Sequence, residues 1–352
     1  MKDLPASFTD PDRHPAAGGG PTPLAPNTRL TPMPAPATQS DYRPPAWMRN
    51  RHLQTIWPAI IGGGPRITYR RERWQTPDQD FIDLDWTTQT AAGAPGNGPL
   101  VALFHGLEGS SESHYARALM THVSVAGWRG VVVHWRGCSG EPNLLARAYH
   151  SGDSAEVDWI LRRLRPDFIA GVSLGANAML KWLGEQGAGA DFVRAAAGVS
   201  APQNLHAGAI ALSRGINRLY CLHFLRTLRP KSLLKLERFP GLYDRRAVIA
   251  ARDFFDFDDA VTAPLHGFAD AIDYWTRSSC KQHLRGVAVP ALVLNARNDP
   301  FLPESELARP AEVSRHVVLE YPAEGGHVGF VDRRLGTDWL PQRLMAFFRQ
   351  FA

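Results

Sequence analysis

The chain has 352 residues, 44% of them apolar and 21% charged, enough to bury a large core in one domain or two. Its apolar runs fall far short of the roughly 20 residues that span a bilayer, and its first residues lack the basic cluster and apolar core of a secretory signal. Three widely spaced cysteines (Cys138, Cys221, Cys280) offer neither a disulfide framework nor a zinc-type pair, which fits a cytoplasmic protein. The net charge of +5 has no basic helix or arginine-rich run to address nucleic acid.

Residues 1–45 hold 11 of the 28 prolines and few large apolar side chains. Such a segment cannot offset its ordering entropy and reads as a disordered leader, with an ordered domain over 46–352. Order is expected to begin near "PPAWMRNRHLQTIWPAII", where Trp47, Leu53, Ile56 and Trp57 supply anchors. "FIDLDW" (81–86) alternates apolar and polar residues, as an edge or antiparallel strand does. The runs at 100–106, 130–137, 167–173, 194–200, 291–297 and 316–322 are mostly continuous and apolar, the pattern of strands buried on both faces. Amphipathic helical patterns ("HYARALMTHVSVAG", "SAEVDWILRRL", "ANAMLKWLGEQ") separate several of them. Such alternation predicts an α/β fold with a mostly parallel sheet and helices on both faces. Between about 203 and 285 no strand pattern occurs, only helix-like pieces such as "LHFLRTLR" and "PKSLLKLERF", which read as a helical cap inserted above the sheet.

The chemistry-bearing residues fall at strand ends. In "LFHGLEGSSESHY", His105 and Gly106 close an early strand, and the Leu107 amide is placed to donate to an oxyanion, with His105 holding the loop. Gly171-Val172-Ser173-Leu174-Gly175 is a complete G-x-S-x-G between a strand and a helix. The sharp turn exposes the Ser173 hydroxyl, the glycines leave room for it, and the Leu174 amide becomes a second oxyanion donor. A serine hydroxyl needs a base, itself oriented by a carboxylate, in the chain order Ser, acid, His. Asp299 in "NDPFLP" and His327 in "EGGHVGFV" occupy those places, with Glu304, Glu324 and Asp332 as alternative acids. His114, His134 and His150 read as helix, strand and loop residues without chemistry. No cluster has metal-ligand spacing, and no cofactor is expected.

With these residues in view, the chain resembles the α/β-hydrolases, and within them the YheT-like branch that includes the plant embryogenesis-associated proteins. "HLQTIWP" (52–58), "HGLEGSSESHYARALM" (105–120), "RGCSGEPN" (136–143), "AYHSGD" (148–153), "GVSLGANAMLKWLGE" (171–185), "DDAVTAPLHGF" (258–268) and "GGHVGFV" (325–331) carry that likeness. Ala176 stands where relatives often have a third glycine. The resemblance implies a serine hydrolase that cleaves carboxylic esters, with Ser173, Asp299 and His327 as triad. Acyl transfer through the same residues and a non-catalytic binding scaffold are the competing functions. A last expectation concerns the cap, where residues 212–248 hold nine Lys or Arg against two Asp or Glu. These cations, Arg226, Arg229, Lys231 and Lys235 among them, either face water on a plain lid or meet an anionic lipid surface or acidic substrate.

Overall fold

The apolar runs of the sequence pair with one another into a single sheet. In a computed structural model of the protein, which describes residues 40–61, 67–88 and 98–352, eight strands lie side by side. They are β1 (Tyr69–Gln75), β2 (Phe81–Thr87), β3 (Leu100–Phe104), β4 (Arg129–Val133), β5 (Phe168–Val172), β6 (Ala195–Val199), β7 (Ala291–Leu294) and β8 (Val317–Glu320). Their spatial order is β1-β2-β4-β3-β5-β6-β7-β8, antiparallel at β1, β2 and β4 and parallel from β4 to β8.

Eleven α-helices complete the described fold: α1 (Arg51–Ile61), α2 (His114–Val125), α3 (Ser154–Leu164), α4 (Leu174–Gln186), α5 (Leu205–Leu212), α6 (Arg218–Arg238), α7 (Arg245–Ala250), α8 (Phe254–Phe257), α9 (Ala263–His266), α10 (Ala271–Ser278) and α11 (Trp339–Phe348). Every residue of β3, β5 and β6 is buried, because helices cover both sides of the sheet. Ile169 packs with Leu180 and Trp182 of α4, while its neighbour Phe168 stacks on Phe348 of α11. None of the described helices is long and apolar enough to cross a membrane.

Three features depart from the sequence reading. Tyr69–Gln75, for which the sequence suggested no strand, is the edge strand. Arg71 and Arg73 form two-pronged pairs with Asp85 and Asp83 of β2 at 2.8–2.9 Å, so β2 is antiparallel but interior. The leader boundary at 45 is also too late. Residues 1–39 lie outside the described residues, but Tyr42 is buried, donates its hydroxyl to the Val331 carbonyl at 3.0 Å and packs on Phe330 and Trp339. Finally, the two helical pieces of the insertion are one helix, α6, running through Pro230.

Between β6 and β7 the chain forms α5 to α10 and no strand. This insertion has its own apolar cluster, in which Leu212, Cys221, Leu225, Val248 and Phe257 gather with Phe301 from the loop after β7. All three cysteines are free thiols.

Candidate active site

Five loops converge because β3, β5, β6, β7 and β8 are adjacent and parallel, so their C-terminal ends lie along one edge. Ser173 sits at the end of β5 with φ 54° and ψ −119°, outside the regions that non-glycine residues favour. Its amide donates to the Val199 carbonyl at 2.8 Å, which ties the turn to β6. A Cβ at Gly171 would stand 2.7 Å from Cα of Ala176, and one at Gly175 would overlap the Phe104 carbonyl oxygen. Strand, turn and helix can therefore approach this closely only with glycine at both positions.

The structure brings Ser173, His327 and Asp299 together. Nδ1 of His327 lies 2.9 Å from Oδ2 of Asp299, and Nε2 lies 3.0 Å from the Ser173 hydroxyl. A carboxylate facing Nδ1 places the ring proton there and leaves Nε2 free to accept from the serine. Asp299 is buried, and its other oxygen accepts the Phe301 amide at 2.8 Å. The Phe301 ring stacks on His327 with centroids 4.0 Å apart, which restricts rotation of the imidazole. The three alternative acids lie elsewhere in the bonding network. Glu304 pairs with Arg297, Asp332 accepts the amides of Arg43, Arg334 and Leu335, and Glu324 makes no bond to His327.

Sequence reading missed the residues that hold the histidine loop. Gln54 of α1 is fully buried, and its Oε1 accepts from Asn298 Nδ2 at 2.9 Å and from the Gly325 amide at 3.0 Å. Thr55 Oγ1 accepts the His327 amide at 3.0 Å and donates its own proton to the Arg51 carbonyl. Ser200 Oγ accepts the amide of Val328, a β-branched residue held at φ 63°. The only signal for Gln54 and Thr55 was their place in the "HLQTIWP" stretch.

In the loop after β3, the Gly106 amide donates to the Tyr115 hydroxyl, that of Glu108 to the Tyr149 hydroxyl, and that of Gly109 to the Gly106 carbonyl. Leu107 stands between these engaged amides, and Leu174 opens α4, where the first amides of a helix have no partner within it. Both residues line the same cavity as Ser173 and His327. His105 is fully buried beneath the loop, with Nδ1 2.8 Å from the Gly106 carbonyl, and burial pushes its pKa down to about 3. His114 starts α2, and burial lowers it to about 4, while His134 is bonded to Asp85 at 2.8 Å.

The cavity beside Ser173 holds about 420 Å³, within the range of small-molecule sites. Part of its wall is apolar, from Leu205, Leu212, Phe224, Phe257 and Val261. Elsewhere the wall is polar: His150 and His266 meet at 4.5 Å between ring centroids, and α6 presents Lys231, Lys235 and Arg238. Most of the cations named from the sequence have partners on the protein. Lys231 pairs with Glu108 at 2.8 Å, Lys235 donates to Asn143 and to the Leu145 and Arg147 carbonyls, and Arg229 donates to the Ala251 carbonyl. Arg226 alone of the four named cations is exposed without an ion pair or side-chain hydrogen bond among the described residues. The described residues contain no cluster of His, Cys, Asp and Glu able to hold a metal ion.

Comparison with known proteins identifies the family. The family described as alpha/beta hydrolase fold matches residues 99–333. The chain is 36% identical over 318 residues to a protein of Escherichia coli (strain K12) named as an esterase, YheT, covering 88% of this chain and 93% of that one. It is 30% identical to the phospholipase ABHD3 of Mus musculus, covering 84% of this chain and 75% of that one. Among solved structures it is similar in fold to an esterase from Exiguobacterium antarcticum, with a TM-score of 0.51 at 16% identity, covering 79% of this chain and 98% of that one. The chain thus belongs to the α/β-hydrolase family and is a carboxylic ester hydrolase.

Proposed function

We propose that Ser173, His327 and Asp299 form the catalytic triad of this hydrolase, and that it cleaves esters of short- to medium-chain or lipid-like acyl groups through an acyl-enzyme. The observation that carries this reading is the continuous hydrogen-bonded array from the Ser173 hydroxyl through His327 to Asp299, built on a strained turn that opens into the cavity. Nε2 of His327 takes the hydroxyl proton as Ser173 Oγ bonds the acyl carbon. The amides of Leu107 and Leu174 stabilise the oxygen that gains charge. The imidazolium then protonates the departing alcohol, and water repeats the sequence to release the acid. Asp299 keeps the ring in the required tautomer and stabilises its charged form.

The apolar wall suits an acyl chain, and the phospholipase relative supports a lipid-like ester. Each methylene buried there contributes about 0.8 kcal/mol, roughly fourfold in binding. With a series of p-nitrophenyl esters, kcat/KM is expected to rise with acyl length and then fall once the cavity is filled. A fluorophosphonate probe is expected to label Ser173. A flat response to chain length would remove the acyl-pocket assignment, and an active enzyme with unlabelled Ser173 would remove the triad.

A further inference from the structure

We infer that Lys231 of the cap and Glu108 of the oxyanion loop form a latch, through which the closed cap holds the Leu107 amide in its working position. Both act as positioning residues, and the inference rests on the role proposed above for Leu107.

Glu108 is the third residue of a turn closed by the bond from the Gly109 amide to the Gly106 carbonyl at 3.0 Å. Its φ is 55°, a left-handed position that glycine or asparagine usually takes in turns. A glutamate is strained there and stays only when its surroundings enforce the conformation. The enforcing contacts come from two sides. From the body, the Tyr149 hydroxyl accepts the Glu108 amide at 3.0 Å and donates to Oε1 at 2.8 Å. From the cap, Lys231 Nζ reaches Oε2 at 2.8 Å and Oε1 at 3.0 Å, and donates also to the Gly137 carbonyl at 3.0 Å. The carboxylate side chain is only 9% exposed, while that of Lys231 is 46% exposed, so the cap supplies the more solvated half of the pair.

The placement of Lys231 on its helix separates this contact from its neighbours. Lys231, Lys235 and Arg238 stand at i, i+4 and i+7 of α6, on one face. Lys235 and Arg238 donate to neutral oxygens of residues 143–147, which fastens the helix to the body. Lys231 is the member of that stripe that pairs with a carboxylate, and the carboxylate belongs to the residue after Leu107. Opening of α6 would break the pair and release the loop, so the oxyanion site is assembled when the cap is shut.

The test is steady-state hydrolysis of a p-nitrophenyl ester by the full chain and its variants, with thermal midpoints measured alongside. Lys231→Met and Glu108→Gln are each expected to lower kcat by about tenfold and leave KM within about twofold, as a misplaced oxyanion donor does. The double variant should be no slower than the slower single, because both remove one contact. Lys231→Arg should recover most of the rate, and Arg226→Gln, which removes a cation of the same helix away from the loop, should match wild type. Raising ionic strength should slow the wild type and leave Lys231→Met unchanged. A folded Lys231→Met with wild-type kcat, a loss seen only in KM, or losses that multiply in the double variant would each overturn the latch while leaving the triad intact. If Glu108→Gln does not fold, Lys231→Met and the salt response still decide. A wild-type enzyme without Ser173 labelling would overturn the parent reading instead.

Discussion

The sheet that carries Ser173 and the cap that roofs it are held together by different physics. Around β5 the chain is locked by backbone ladders on both sides and by glycines so close to their neighbours that no Cβ fits. The cap has no ladder to the sheet. Besides its apolar cluster with Phe301, it is attached through side chains, chiefly the cationic stripe of α6 donating to a carboxylate and to carbonyls of the 137–147 segment. That segment is in turn fixed by buried Asp80, which accepts the amides of Leu144 and Leu145 and is bonded by Asn143 and Arg136. The Ser173 turn thus rests on parts that cannot move independently, whereas the cap rests on contacts worth about 1 kcal/mol each that can break singly.

The sharpest break of this contrast is at Ser173 and Asp299. Ser173→Ala should reduce ester turnover by on the order of 10⁴-fold or more with little change in thermal midpoint, since a single oxygen at the cavity wall is lost and the backbone is unaltered. Asp299→Asn should approach the same loss, because an amide can select the wrong imidazole tautomer. A Ser173→Ala enzyme with a tenth of the wild-type kcat would show that the nucleophile lies elsewhere.

Next in size is the rigidity of the sheet itself. Gly175→Ala forces the Phe104 and His105 carbonyls to shift, which should cost about 3 kcal/mol and lower the thermal midpoint by several degrees. Arg226→Gln on the cap should stay within about 0.5 kcal/mol of wild type. Equal midpoints for the two variants would erase the proposed difference between the regions.

A smaller effect should follow from Gln54→Ala. The Asn298 side chain and the Gly325 amide lose their acceptor, which should cost about 2 kcal/mol and, through a looser His327 loop, roughly tenfold in kcat. Circular dichroism melting and kinetics on the same sample separate the two losses; a stability loss with wild-type kcat would limit Gln54 to packing.

The smallest effect is the response to acid. Burial lowers His150 to about 4 and His266 to about 3, and their rings meet where the cap touches the body. Because these folded values lie below the ordinary histidine value near 6.5, the unfolded chain binds more protons in the interval between them. Their contribution is fully present above about pH 6.5 and is lost as pH falls toward 4. Between pH 7 and pH 5, amide protection relative to the intrinsic exchange rate should therefore fall in residues 245–285 before it falls in β3 or β5. Parallel loss of protection in cap and sheet would place the acid-sensitive groups elsewhere.

Local rules were enough to read the turn at Ser173. G-x-S-x-G between an apolar run and a helical pattern follows from sterics within five residues, and the continuous apolar strands follow from burial on both faces. The order Ser, Asp, His was legible for the same reason, since each residue follows its own strand. Other features depended on partners distant in the chain. β1 showed no strand pattern because its arginines are matched by Asp83 and Asp85 of the neighbouring strand, 10 and 14 residues away along the chain. Gln54 and Thr55 take their role from a loop more than 240 residues later, and no local pattern marks a side chain as acceptor for such a partner. Among Asp299, Glu304, Glu324 and Asp332, only the folded distances single out the carboxylate that faces His327. The basic run of α6 was plain in composition, but composition does not say which way a helix faces. The packing of α6 on the 137–147 segment set its lysines against oxygens of that segment and one of them against the loop that carries Leu107.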